Sequence, residues 1–305
     1  VASPAMRIGL VGTGPWARET HIPAMTAHPG VELTGVWSRD PASAAGIDVP
    51  RVADFDELLA GNDAIAFAVP PSVQARLAGR AAAAGKHLIL DKPIADSLTA
   101  ATALVDKIEA AGVTSIVCFT RRFAPETRAF VAAADVADVR SGSGTWLSGS
   151  LLGGRYAASA WRAETGALFD VGPHVIDLLD RVLGPITGIV GARHDAESDL
   201  WTVMVGHAAG PDTARTSTMS LSLRVPVIPT VTRFEVAGPG GLVSLSERRT
   251  TSPECFSVLL HEFLAAVATG RPHELDVRRG LAVQRVIDAI TRTVSHQDRS
   301  SIASV

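Results

Sequence analysis

The sequence predicts an α/β protein: a doubly wound parallel sheet, followed by an α/β domain with an open, mostly antiparallel sheet. Three observations carry this. The first ~118 residues alternate short apolar, β-branched runs with Ala-rich helical runs. A glycine-rich turn, "GLVGTGPWA", joins the first such pair. After Phe119 strand-like runs follow one another directly. A length of 305 residues suggests two domains at about 150 residues each. The change of pattern puts the boundary near residue 120, giving domains 1–120 and 121–305, with the C-terminal helices free to pack back on the first.

In order, "RIGLVG" reads as the first strand and "WARETHIPAMTAH" as a helix that Pro23 ends or bends. "VELTGVW" and "DAIAFAV" read as strands, and "SVQARLAGRAAAAGK" as a helix stopped by Gly85. "HLILD" is a strand. "SLTAATALVDKIEAAG" is a helix with Ser97 as N-cap and Gly112 as its stop. "VTSIVCF" closes the set, whose apolar strands suit a sheet covered on both faces. The second set is "TWLSGS", "ITGIVGAR", "LWTVMVGHA", "TARTSTMSLSLRV", "TVTRFEVAG" and "GLVSLS". In the fourth, Thr216, Thr218, Ser220 and Ser222 alternate with Ser217, Met219, Leu221 and Leu223, the period of a sheet with one wetter face. A helical stretch after Gly166 interrupts these strands, and "FSVLLHEFLAAVATG" and "VRRGLAVQRVIDAITRTVS" end the chain as helices.

Composition narrows the function classes. Hydrophobic residues make up 47% and charged residues 19%, which fits a globular chain. A net charge of −3 without a basic run gives no reason to expect nucleic acid or anionic membrane as a partner. No apolar run reaches the ~18 residues of a membrane span, and "VASPAMRIGL" lacks the pattern of a secretion signal. Cys118 and Cys255 are far apart, so free thiols in a reducing, cytoplasmic setting are expected. His261 and His273 have no partners at metal spacing, and no metal is expected.

Gly12, Gly14 and Ala17 stand in G-x-G-x-x-A spacing between a strand and a helix. The first glycine makes the turn, the second lets a pyrophosphate approach the backbone, and the small third residue lets helix and strand pack. Pro15 suits the first helical position. No Lys-Ser/Thr follows, so this is not a nucleotide-hydrolase loop. The second strand ends in Ser38 and Arg39, with Asp40 two positions late for a ribose. A hydroxyl and a guanidinium favour a 2′-phosphate, hence NADP over NAD. The competing reading is that Arg39 is a solvated arginine and Asp40 curls back to a ribose.

"AAAAGKHLILDKPIA" resembles the strand ending in Glu-Lys-Pro of the Gfo/Idh/MocA oxidoreductases, related to glucose–fructose oxidoreductase and inositol dehydrogenase. The glycine turn, "AVPPSVQ", "DKP", "TRRF", "WR", the D-x-G-x-H-x-x-D of residues 170–177, "FEVAGPGG" and "EFLAAVATGR" come in that family's order. The resemblance implies a Rossmann domain, a cofactor cleft before a second domain, and homodimers or homotetramers through the C-terminal sheet. It maps the catalytic lysine, aspartate and histidine onto Lys92, Asp170 and His174. It adds Thr13, Trp16, Val69, Pro70, Asp91, Lys92 again and Pro93 as cofactor contacts, with Arg122, Trp161 and Arg162 as further candidates. Three departures stand out: Asp91 for the usual Glu, "ETG" at 164–166 for a glycine run, and Thr120 for the usual Asn.

The implied chemistry is hydride transfer between nicotinamide and a secondary alcohol or ketone of a sugar, cyclitol or polyol. His174 suits acid/base work near neutral pH, Asp170 would orient it or hold a neighbouring hydroxyl, and Lys92 would polarise the substrate oxygen and contact the nicotinamide ribose. Which of Lys92 and His174 moves the proton stays open. So do a nucleotide-deoxysugar ketoreductase, an imine or dihydrodiol reductase, and a non-catalytic NAD(P)-binding regulator. A cis Lys92–Pro93 bond is expected. Asp177 and Asp180 read as a solvated face or as partners of Arg181, and Tyr156 as a cleft residue. Pro173 requires a helix that starts just before it, or a turn.

Overall fold

The structure, a computed structural model, describes residues 4–153, 156–157, 159–208 and 214–300. Thr213, at the start of one expected strand, and residues 1–3 lie outside these. The chain divides into two compact units: Val1–Phe123 with Thr250–Gln284, and Ala124–Arg249 with Arg285–Val305.

The elements of the first unit begin with β1 (Met6–Val11), a π-helical turn (Ala17–His21) that runs into α1 (Ile22–Ala27), and β2 (Val31–Trp37). They continue with α2 (Phe55–Ala60), β3 (Ala64–Phe67), α3 (Pro71–Ala83), β4 (His87–Leu90), α4 (Leu98–Ala111) and β5 (Ser115–Val117). The strands form a parallel sheet in the order β2-β1-β3-β4-β5, the doubly wound sheet expected. Ile8, Leu10, Ile65, Phe67, Leu88 and Leu90 are fully buried, which explains why the strands read as unbroken apolar runs. Ser97 accepts from Ala100 N and Gly112 sits at φ 63°, so α4 has the cap and stop expected of it. Pro23 does not end its helix. The widened turn just before it accommodates the missing N–H, and the helix continues to Ala27.

The second unit contains α5 (Pro125–Val136), β6 (Ser141–Leu147), α6 (Ala160–Asp170), α7 (Gly172–Leu183), β7 (Ile186–Asp195), β8 (Leu200–His207), β9 (Arg215–Ser222), β10 (Val231–Gly238) and β11 (Gly241–Leu245). Its sheet runs β11-β10-β6-β9-β8-β7 and is antiparallel except for the β6–β9 pair. α7 packs on the buried face. A Cβ on Gly144 of β6 would come 2.5 Å from Val175, so the glycine lets helix and sheet approach. On β9 Ser217, Met219 and Leu221 are buried, as the alternation requires, but Ser222 is buried too. Its hydroxyl donates to Ser198 O and accepts from Arg224 N and Val225 N.

Two helices were not evident in the sequence. α2 is only six residues long, and α5 is opened by Pro125 and buries just Thr127, Phe130 and Ala134. α6 begins six residues before Gly166, which kinks it (φ 67°, ψ −163°). α7 begins at Gly172, so Pro173 sits in a first turn, where a missing N–H is tolerated. Asp177 is buried, contrary to the solvated reading, because α7 is covered on nearly every side. Asp180 accepts from Ile186 N, and Arg181 pairs with Asp135 rather than with either aspartate.

The last two helices are α8 (Ser252–Thr269) and α9 (Val277–Ser300). α8 opens with a reciprocal Thr251–Glu254 capping box and belongs to the first unit, where Phe256 lies 4.3 Å from the His21 ring.

Candidate active site

In the first unit the glycine turn follows β1. Gly12 has φ +116°, and a Cβ there would lie 2.3 Å from Ala68 O and 3.0 Å from a Val69 methyl, so only glycine fits. Gly12 N donates to Trp37 O, tying the turn to the end of β2. At Gly14 a Cβ would meet nothing within 4 Å, and Gly14 and Pro15 are exposed. That open backbone, at the start of a helical run, suits a pyrophosphate. Ala17 is fully buried, the close packing expected of the third small residue. Trp16 lies 6.3 Å from the His21 ring. His21 is fully buried, and desolvation pushes its pKa down to about 3.

Beyond β2, Ser38, Ser43 and Thr13 form a hydroxyl cluster. Ser43 Oγ lies 2.6 Å from Thr13 Oγ1 and 2.9 Å from Ser38 Oγ. Ser38 and Ser43 both donate to Asp40 O. Asp40 Oδ1 accepts from Ala42 N and caps a short 3₁₀ turn, Pro41–Ala44. Its carboxylate is thus engaged locally. Arg39 is exposed. Arg18 donates to Thr13 O, Ser43 O and Ala45 O, fastening this loop to the glycine turn. Neither Ser43 nor Arg18 was evident as a site residue, because their partners are backbone carbonyls and other hydroxyls.

Asp91, Lys92 and Pro93 follow β4 at its carboxyl end, where open parallel sheets bind ligands. Lys92 and Asp91 are half-buried, and the Lys92–Pro93 peptide is cis, as expected. Asp91 Oδ1 accepts from Lys92 N. Gln74, fully buried on α3, holds this stretch: its Oε1 accepts from Asp91 N at 2.7 Å, and its Nε2 donates to Asp91 O and Ile94 O. Gln74 stands in "AVPPSVQ", yet nothing in the pattern marks it as a partner of residues 17 positions away. Pro70 O accepts from Val73 N and Gln74 N at the start of α3. Burial pushes the Cys118 thiol well up, with Asp91 adding to the effect. Arg122 is buried in a 3₁₀ turn and ion-paired to Glu274 at 2.8 Å.

In the second unit Arg162 lies over the rings of Trp161 and Tyr156, 4.6 and 4.7 Å from their centroids. Its Nε donates to Asp170 Oδ2 at 3.0 Å, both side chains being mostly buried. His174, in the first turn of α7, is buried and stacks on Trp146 of β6 at 5.6 Å. The structure thus joins Trp161, Arg162 and Asp170 in one contact group. Trp146 was not singled out in the sequence, since a strand tryptophan reads as core. Among the described residues no group of three or more His, Cys, Asp or Glu is placed to hold a metal ion. Nor is any helix there long and apolar enough to cross a membrane.

Residues 6–119 match the model of the Gfo/Idh/MocA oxidoreductase family, NAD-binding Rossmann fold. The chain is 39% identical over 94 residues to galactose 1-dehydrogenase of Pseudomonas fluorescens, covering 29% of each protein. It is 31% identical over 204 residues to dTDP-3,4-didehydro-2,6-dideoxy-alpha-D-glucose 3-reductase of Streptomyces violaceoruber, covering 63% of this chain and 59% of that one. The matched stretches therefore span less than two thirds of either relative. The fold is that of myo-inositol 2-dehydrogenase from Lactobacillus plantarum, with a TM-score of 0.84 at 16% identity over 96% of this chain and 98% of the other.

Proposed function

The chain belongs to the Gfo/Idh/MocA oxidoreductases, and from that premise we propose that it interconverts a secondary alcohol and a ketone on a sugar, cyclitol or related polyol, with NADP preferred. The nicotinamide, when bound, supplies the hydride acceptor or donor. Gly12, Thr13, Gly14, Pro15 and Trp16 would hold the pyrophosphate side of the nucleotide. Val69, Pro70, Asp91 and Pro93 would line its path along the strand ends, and Arg122, Trp161 and Arg162 would add contacts. Ser38 and Arg39 would take the 2′-phosphate. Asp40 supports this choice, because one oxygen of its carboxylate already caps a local turn.

Lys92 would donate a hydrogen bond to the substrate oxygen and polarise it. His174 would take the hydroxyl proton in oxidation or return it in reduction, with Asp170 orienting it or holding a neighbouring hydroxyl. Arg162 keeps Asp170 in place. Relatives named as a galactose dehydrogenase and a deoxysugar 3-reductase support the substrate class. The open sheet face, with Met204 and Leu242 exposed, would pair two or more copies.

The observation that carries the reading is Lys92, set at the end of β4 by a buried Gln74 lattice inside an NAD-binding unit. The test is Lys92→Ala, assayed on a panel of sugars and cyclitols alongside NADPH fluorescence. Turnover should fall at least a hundredfold while the NADPH Kd stays within about tenfold, roughly 1.4 kcal/mol. An unchanged rate would remove Lys92 from the mechanism. Nucleotide binding by the unaltered chain with no turnover on the panel would make it a non-catalytic binder.

A further inference from the structure

We infer that Asp199 is a positioning residue that sets Asp170 and His174, acting through a latch on the kink at Gly166; this rests on the reading of that pair as the acid/base machinery. Gly166 interrupts α6 at φ 67° and ψ −163°, a conformation open almost only to glycine. A helical segment restarts at Ala167, and the first N–H groups of such a segment lack the usual acceptor one turn back. Asp199 Oδ2 accepts that N–H at 2.8 Å. The carboxylate sits where a side chain at 166 would go: a Cβ on Gly166 would be 2.4 Å from Asp199 Oδ1. An aspartate from a distant hairpin thus caps a helical segment that has no capping residue of its own.

Asp199 is itself firmly held. It occupies the turn between β7 and β8 at φ 50°, uncommon for a residue with a side chain, and is 5% exposed. His194 and Trp201 are cross-strand partners whose rings stack at 4.0 Å. Trp201 Nε1 donates to Asp199 Oδ1 at 3.2 Å, and His194 Nε2 lies 3.3 Å from the same oxygen.

The consequence lies three residues further on. The segment that starts at the latched Ala167 ends at Asp170, and α7 follows at once, with His174 N bonded to Val171 O. Arg162 precedes the kink and Asp170 follows it, so the kink angle fixes whether their 3.0 Å ion pair can form. The Arg162–Asp170 distance and the heading of the first turn of α7 therefore follow from one carboxylate on a different hairpin.

The experiment uses the full chain with Asp199→Asn and Asp199→Glu, and Asp195→Asn, an exposed residue of the same hairpin, as control. Amide exchange read by mass spectrometry, NADPH binding and steady-state turnover are measured well below the melting temperature. In both Asp199 variants exchange protection across residues 166–175 should fall at least tenfold, with other peptides unchanged. Their kcat should fall at least tenfold, with NADPH Kd and substrate KM within about threefold. Unchanged protection at 166–175, or a lowered melting temperature with kcat intact, overturns the inference. The exchange arm needs no substrate. An inert wild-type chain would thus count against the oxidoreductase reading, while exchange alone would decide the latch. Should one Asp199 variant fail to fold, the other carries the test.

Discussion

Gln74→Leu tests how far the lysine loop depends on one buried amide. Leucine fills nearly the same volume, so little cavity forms, and the loss is almost purely one of hydrogen bonds. Asp91 N–H, bonded at 2.7 Å to Gln74 Oε1, would be left without that acceptor, at a cost of about 1–3 kcal/mol. Asp91 O and Ile94 O would lose the donor now at 2.8 and 3.2 Å, adding roughly 1 kcal/mol. A loss of about 2–4 kcal/mol in urea unfolding is expected. Since the same bonds place Lys92, kcat should fall more than the NADPH Kd rises. Gln74→Glu keeps the acceptor for Asp91 N–H but turns a second oxygen toward the carbonyls. It should be the worse variant at alkaline pH and recover as acid returns a proton to the new carboxyl. A loss below about 0.5 kcal/mol with wild-type turnover would refute the reasoning.

Two further outcomes follow from the first unit. His21 stays neutral in the folded chain down to about pH 3 but takes up a proton near the ordinary imidazole value of 6.5 once unfolded, so stability falls as pH drops through that window. Between pH 8 and pH 4.5 this amounts to about 3 kcal/mol, and the unfolding free energy of wild type relative to His21→Leu should drop by that much; a pH-independent difference would contradict it. Arg39→Glu should raise the NADPH Kd at least tenfold and leave the NADH Kd within about twofold; equal effects on both nucleotides would move the preference away from NADP.

Both sheets and most of their strands were legible because burial imposes a period on the residues. β2 runs over the seven residues of "VELTGVW", and β9 shows the alternation of one covered face. The glycine turn and the Asp-Lys-Pro strand end were legible for the same kind of reason, since backbone geometry dictates residue type there. α2 and α5 were not legible, because short helices with few buried positions carry little periodicity. Gln74, Asp199 and Arg18 escaped for a different reason. Each acts on backbone atoms between 5 and 32 positions away, and a main-chain partner leaves no trace in residue identity. Asp177 misled because a carboxylate in a helix normally reads as solvated, while α7 is enclosed nearly all round.

The strap that Arg18 throws from the glycine turn to Ser43 and Ala45 bears on how a nucleotide would arrive. A loop that must be ordered on contact subtracts its lost freedom from affinity, roughly 0.5–1.5 kcal/mol for each immobilised side chain. Here the guanidinium has already removed that freedom while the chain folds. Under the proposed reading, docking would approach a rigid-body encounter, and selectivity at the adenosine end would rest on which atoms the fixed hydroxyls and the exposed Arg39 guanidinium can reach.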